Sequence, residues 1–111
     1  MGTYIPKKGD FIAVSFDPQS GHEQKGRRPA LVVSNTLFNE RTGLAIVCPV
    51  TTTDRAYPFH VPIINNPDIG GFIMVEQVKS IDFRARKAKA IGVASECVLG
   101  TVLSILDACL Y

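Results

Sequence analysis

The sequence predicts a mainly β domain with a C-terminal helix, and two observations carry this prediction. Up to residue 94, short apolar runs alternate with Gly, Pro, Asn and Asp clusters, a pattern typical of strands and turns. From Ser95 onward, apolar residues recur at spacings of three and four, which is typical of an amphipathic helix. We therefore expect a small, mostly antiparallel barrel or curled sheet with the helix covering one side.

The first three strands are expected over residues 10–18, 29–35 and 42–51. In the first, alternation places Ile12 and Val14 on one face and Phe11 on the other. The second strand is apolar on both faces, so we expect it to be central and buried. Pro49 indicates an edge or a bulge in the third strand, because proline cannot donate to a ladder hydrogen bond.

Three further strands are expected over residues 57–64, 70–82 and 85–94. The fifth strand is the longest and starts at a Gly-Gly turn. Alternation along it places Glu76 and Ser80 on one face, and Gln77 and Lys79 on the other.

The terminal helix is expected to begin after Ser95, whose hydroxyl suits an N-cap, and Glu96 suits the first turn. Gly100 lies inside it and costs roughly 1 kcal/mol relative to alanine. The pattern therefore predicts the existence of this helix more strongly than its length.

The composition predicts one globular domain over residues 1–111. Hydrophobic residues make up 46 % and charged residues 20 %, which is ordinary for a folded domain. No apolar run approaches the ~20 residues of a membrane span, and the first residues lack the apolar core of a signal peptide. The three cysteines, Cys48, Cys97 and Cys109, form no C-x-x-C pair, which predicts buried thiols without zinc. A cytoplasmic protein without a membrane role is expected.

Positive charge is concentrated in two clusters although the net charge is only +2. The first contains Lys25, Arg27 and Arg28, in the loop that leads into the second strand. The second runs from Lys79 to Lys89. Two basic clusters on a nearly neutral chain predict a local site for a polyanion, although two solvated loops would give the same pattern.

One acid, one arginine and one hydroxyl make up the candidate chemistry. Glu23 could accept a proton, Arg28 offers a planar donor fork for a phosphate, and Thr51 offers a hydroxyl at the end of the third strand. Transesterification of RNA needs only a base for the 2′-hydroxyl and donors for the charge that develops on phosphorus. No metal ligands and no cofactor are expected.

The sequence resembles the MazF/PemK-type endoribonuclease toxins of bacterial toxin–antitoxin pairs. The motifs that carry the resemblance are GDFIAVSFDP, GHEQKGRRPALVVS, CPVTTT, YPF, EQVKSIDFRAR and the terminal helix, which together span roughly residues 9–107. The resemblance implies an SH3-like β-barrel of the MazF/Kid/CcdB type. It also implies a homodimer that cleaves single-stranded RNA, such as mRNA, at a short sequence, without metal. The products would carry a 2′,3′-cyclic phosphate and a 5′-hydroxyl. A MazE-like antitoxin with an acidic C-terminal tail is implied as the partner.

The resemblance assigns catalytic roles to three residues: Glu23 matches the general base, Arg28 the essential arginine and Thr51 the essential threonine. A guanidinium is a poor proton donor at neutral pH, so Arg28 is expected mainly to stabilise the phosphorane. In the plasmid branch, an aspartate at the position of Glu76 and an arginine at the position of Met74 share the proton transfer. Methionine cannot serve in that role, so the base could be Glu23, Glu76 or His22. The expected RNA-contacting residues are His22, Gln24, Lys25, Arg27, Thr52, Glu76, Gln77, Lys79, Ser80, Arg84 and Arg86.

Two other functions fit this fold. Some toxins of the same architecture poison DNA gyrase and cleave nothing, and a non-catalytic RNA-binding barrel is also conceivable. The combination of Glu23, Arg28 and Thr51 favours the nuclease.

Overall fold

The computed structural model describes residues 4–15 and 27–111. The described elements follow the chain order β1 (Asp10–Ser15), β2 (Arg27–Val32), α1 (Thr36–Thr42), β3 (Leu44–Thr51), β4 (His60–Pro62), β5 (Phe72–Met74), a 3-10 turn (Val75–Gln77), β6 (Lys79–Asp82), β7 (Lys89–Val93) and α2 (Glu96–Leu110). The mainly β class with a C-terminal helix is therefore confirmed.

Antiparallel ladders join the strands in the order β4-β5-β3-β2-β1-β7, and β6 also pairs with β3. The five strands β7-β1-β2-β3-β6 thus form a continuous strip whose two end strands follow each other in the chain. Among the described residues no ladder joins β6 to β7, so the sheet is open there. In the connection between β6 and β7, the Ala88 N–H donates to Phe83 O. The Ser15 N–H of β1 donates to Arg86 O of the same connection.

The sheet separates two hydrophobic cores, which explains why β1 and β2 are apolar on both faces. One core contains Ile12, Val14 and Val32 together with Phe83. The other contains Phe11 and lies beneath α2. Because successive side chains of a strand point to opposite faces, neighbouring residues of β1 serve different cores. The expected central position of β2, between β1 and β3, is confirmed.

The terminal helix begins where the sequence predicts, since the Ser95 hydroxyl accepts a hydrogen bond from the Val98 N–H. Val98, Val102 and Leu106 are its buried residues and pack on the core beneath it. Gly100 does not interrupt it and faces open space. Within the described ranges, no helix is both long and apolar enough to cross a membrane.

Helix α1 was not predicted from the sequence. Asn35 caps its start by accepting from the Phe38 N–H, and Gly43 ends it with φ of 75°. The helix carries a fully buried Asn39, whose amide donates to the carbonyls of Pro6 and Ser34. Seven residues are too few to show a helical period, so only the two capping residues could have indicated this element.

The predicted strands after β3 are shorter than expected. Only residues His60–Pro62 of the fourth are extended, and the His60 N–H closes a turn by donating to Tyr57 O. The fifth is wrong as one strand, because the 3-10 turn Val75–Gln77 separates β5 from β6. That turn also invalidates the expected alternation of Glu76 and Gln77 with the residues that follow. The sixth predicted strand is reduced to β7, Lys89–Val93.

The expectation of an edge at Pro49 is wrong, because β3 is the strand with the most partners. On one side Pro49 pairs with Ala30 of β2. On the other, β3 pairs with β6 up to Val47 and with β5 from Val50 onward. Pro49 therefore lies where β3 changes partners, a position at which a missing N–H donor costs little.

Candidate active site

Arg28 and Thr51 are brought together by the register of β2 and β3. The ladder pairs Ala30 with Pro49, and continuing it by two residues places Arg28 opposite Thr51. Alternation also places both on the face of the sheet that bears Val32 and Val47, at its end. Cross-strand neighbours on one face lie about 5 Å apart at Cβ, so a hydroxyl and a guanidinium can reach one phosphate.

The Arg28 side chain is exposed. Among the residues that the structure describes, it makes no hydrogen bond or ion pair. Its five N–H donors are therefore available to a ligand. A planar donor fork of this kind binds two phosphate oxygens at once.

Lys79 extends the same face by one strand. It begins β6, where it pairs with Val47, and alternation groups it with the buried Ile81. Ser80 pairs with Ile46 and faces the opposite way. The structure therefore places Lys79 on the face of Arg28 and Thr51, but not Ser80.

Arg27 and Arg86 brace the backbone. The Arg27 guanidinium donates to Ala13 O at 3.1 Å and to Lys87 O at 3.0 Å. The Arg86 guanidinium donates to Ser15 O at 2.8 Å. Both arginines thereby tie the end of β1 and the start of β2 to the connection between β6 and β7. Their donors are partly engaged in this way, and the expectation that both arginines contact RNA stays a prediction.

Thr51 is half-buried and Thr52 is exposed. The Thr51 hydroxyl accepts a hydrogen bond from the Thr53 N–H at 3.2 Å, which leaves its own proton free to donate. Gly71 lies against the Thr51 backbone: a Cβ at Gly71 would be 2.5 Å from Thr51 O. The φ of Gly71 is 114°, which side chains rarely adopt. Gly71 therefore allows its own backbone to approach the Thr51 backbone closely at the end of β3.

Glu76 and Gln77 are exposed on the 3-10 turn. Glu76 pairs with the buried His60, whose Nε2 lies 2.9 Å from Glu76 Oε2. His60 is not among the site residues predicted from the sequence. The only available signal was a histidine within an otherwise apolar strand pattern, and that pattern does not reveal a partner sixteen residues away.

The three thiols differ in exposure, so the expectation that all are buried is wrong. Cys48 is buried, whereas Cys97 and Cys109 are exposed on α2. Burial, with a contribution from the negative charge of Glu76, raises the pKa of Cys48 to about 12. A thiol in this state stays protonated and is a poor nucleophile.

Arg84 lies in the connection between β6 and β7. Its guanidinium sits 5.8 Å from the centre of the Phe83 ring, within the range of a cation–π contact. It lines a cavity of about 340 Å³ together with Tyr4, Phe83, Lys87 and Ala88. In this cavity the Tyr4 hydroxyl donates to Asp10, and burial together with that carboxylate raises the pKa of Tyr4.

The remaining predicted residues His22, Glu23, Gln24 and Lys25 lie outside the described residues. Across residues 4–15 and 27–111, no three His, Cys, Asp or Glu side chains are grouped so as to hold a metal ion.

The chain as a whole matches a family of toxins. The model of the PemK-like, MazF-like toxins of type II toxin–antitoxin systems matches residues 7–110, and the chain belongs to this family. It is 42 % identical to the endoribonuclease toxin MazF of Escherichia coli K12 over 92 residues, which cover 83 % of this chain and 82 % of the relative. It is 42 % identical to the endoribonuclease toxin ChpB of the same strain, covering 92 % of this chain and 91 % of the relative.

Solved structures agree. The fold matches the crystal structure of a MazE–MazF complex from Deinococcus radiodurans with a TM-score of 0.86 and 33 % identity, covering 97 % of both chains. The likeness to the MazF/PemK family stated from the sequence is thereby confirmed.

Proposed function

We propose that this protein is an endoribonuclease toxin that cleaves single-stranded RNA, including mRNA, at a short sequence and without a metal ion. The 2′-oxygen gives its proton to a base and attacks the adjacent phosphorus, the bond from phosphorus to the 5′-oxygen breaks, and that oxygen takes up a proton from water, which leaves a 2′,3′-cyclic phosphate and a 5′-hydroxyl. The observation that carries the proposal is the register of β2 and β3: the ladder ends at the pair Ala30–Pro49, and its continuation by two residues directs Arg28 and Thr51 to the same face. The relatives named as endoribonuclease toxins support the reaction class.

Arg28 and Thr51 act on the phosphate in this reaction. As the 2′-oxygen attacks, negative charge accumulates on the two non-bridging oxygens, and the fork of Arg28 donates to them. Thr51 donates its hydroxyl proton to the same group. Lys79, on the same face, adds a positive charge near the backbone.

The base that takes the 2′-proton is Glu23 in this proposal. Glu76, the other acidic candidate, has one carboxylate oxygen engaged by His60. His22 is the third candidate and is expected to contribute little.

Regulation follows from the electrostatics of the same surface. We propose a homodimer in the cytoplasm, inhibited by a MazE-like antitoxin whose acidic tail competes with RNA for the cationic face. The MazE–MazF structures that this chain resembles support such a partner.

The test incubates the purified protein with a long RNA in excess EDTA and maps the product ends. We expect cleavage to persist and the 3′ ends to carry cyclic phosphate. Arg28→Ala should lower the single-turnover rate at saturating protein about 10²–10³-fold, as for removal of an oxyanion donor. Arg28→Lys should rescue poorly because it loses the planar fork.

Arg41→Ala is the matched control, because it removes one exposed arginine from α1, away from the Arg28 face. Its rate should stay within a few-fold of the wild type. Activity that requires added magnesium would refute the metal-independent mechanism. Binding of RNA without cleavage would favour the non-catalytic barrel, and inhibition of gyrase supercoiling without cleavage would favour the gyrase toxin.

A further inference from the structure

The His60–Glu76 pair is a polar group placed where the core meets the surface. The His60 side chain is 3 % exposed and that of Glu76 is 30 % exposed. The imidazole Nε2 contacts Oε2 of the carboxylate at 2.9 Å. The other ring nitrogen, Nδ1, is buried and has no hydrogen-bond partner among the described residues.

This environment determines which nitrogen carries the proton. An ionised carboxylate only accepts, so Nε2 must bear the hydrogen and donate it to Glu76. Nδ1 is buried and has no partner among the described residues, so the one hydrogen bond of the ring that the structure describes runs from Nε2 to an oxygen of Glu76.

Two turns hold the pair rigidly. The His60 N–H donates to Tyr57 O at 3.1 Å, with Pro58 at the second position of that turn. The Val75 N–H donates to Phe59 O at 3.1 Å and fastens this turn to the 3-10 turn of Glu76.

Two exposed aromatic residues lie on the turn that leads into β4. Tyr57 and Phe59 are 51 % and 43 % exposed. The Tyr57 ring centre lies 5.0 Å from that of His60. Unpaired RNA bases stack on rings of this kind while protein acceptors read their edges.

The free oxygen of Glu76 can therefore accept from one donor on a stacked base. Adenine and cytosine each present a single amino group beside a ring acceptor. Guanine presents two adjacent donors, which pair best with a carboxylate whose two oxygens are both unengaged, and the ring N–H of uracil lies between two carbonyl oxygens that a carboxylate repels. Because His60 engages one oxygen of Glu76, the carboxylate distinguishes between types of base.

We infer that His60 is a positioning residue that holds Glu76 as a one-oxygen acceptor, so that the RNA site selects adenine or cytosine at one position. This inference rests on the proposed RNA cleavage. The test of this inference is the ratio of kcat/KM for two substrates, measured within one protein variant. A general loss of folding leaves this ratio unchanged.

The experiment first maps wild-type cleavage sites on a long RNA. Short substrates are then made in which each adenosine near the site is replaced by purine riboside, or each cytidine by zebularine, both lacking the amino group. At one position, the natural base should raise kcat/KM about tenfold or more over its analogue. Glu76→Gln and His60→Leu should bring that ratio close to one. His60→Gln should keep it, because the amide nitrogen replaces the Nε2–H donor.

Glu40→Gln is the control, since it neutralises an exposed acid on α1 and should leave the ratio unchanged. A wild-type ratio of one at every adenosine and cytidine would overturn the inference, as would a ratio that survives His60→Leu. An equal fall of kcat for both substrates in Glu76→Gln would also overturn the inference, because Glu76 would then serve the chemistry or the fold. If no RNA is cleaved, the proposed nuclease function fails instead. The ratio is then read from dissociation constants of oligoadenylate and its purine-riboside counterpart, with the same expectations.

Discussion

Gly71→Ala should damage both stability and activity, because this glycine supports the strand end that carries Thr51. A Cβ at Gly71 would lie 2.5 Å from Thr51 O, and the neighbouring C and Val50 side chain are also within 3.4 Å. The contact is with backbone, so it cannot be relieved by a rotamer change. The φ of 114° adds strain of about 1–3 kcal/mol for any side chain.

The two effects together should lower the free energy of unfolding by about 2–6 kcal/mol, since overpacking adds about 1–3 kcal/mol. A change of 1 kcal/mol shifts the melting temperature of a domain near this size by roughly 4–8 °C. We therefore expect a loss of about 8 °C or more. The strand end must also move, and a misplacement near 1 Å lowers catalytic rates about 10²-fold.

Gly70→Ala is the matched control, because nothing lies within 4 Å of a Cβ at that position. Thermal unfolding followed by circular dichroism, together with single-turnover RNA cleavage at 15 °C, compares the two variants. If Gly71→Ala is as stable and as active as Gly70→Ala, then the close approach to Thr51 does not support the site.

Two further predictions concern the buried polar groups. Asn39→Leu should lower the free energy of unfolding by about 2–4 kcal/mol in urea titrations, because it leaves the buried carbonyls of Pro6 and Ser34 without donors; an effect no larger than that of Glu40→Gln would contradict this. The unfolding free energy should also fall as the pH rises from about 9 toward 12, since the unfolded Cys48 thiol ionises at its ordinary pKa of 9.0, whereas burial raises the pKa of the folded thiol to about 12. The slope from this thiol is at most about 1.4 kcal/mol per pH unit, and Cys48→Ala should flatten the curve by that amount.

The sequence determined the local elements of this protein. Alternation identified β1, apolar runs between turn residues identified β2 and β3, and the spacing of apolar residues with Ser95 as cap identified α2, because these patterns depend only on neighbouring residues. The choice of Arg28 and Thr51 as candidates likewise needed only their residue types and the motifs around them. The family likeness came from the same short motifs.

The tertiary structure alone decided which of these residues meet. The register of β2 against β3 sets Arg28 opposite Thr51, and no local pattern contains a register between distant strands. The 3-10 turn at Glu76 interrupts an apparently continuous strand because β3 exchanges β6 for β5 there. The partners of His60 and Arg27 are likewise set by long-range packing, since a side chain's hydrogen bonds depend on what the fold places beside it.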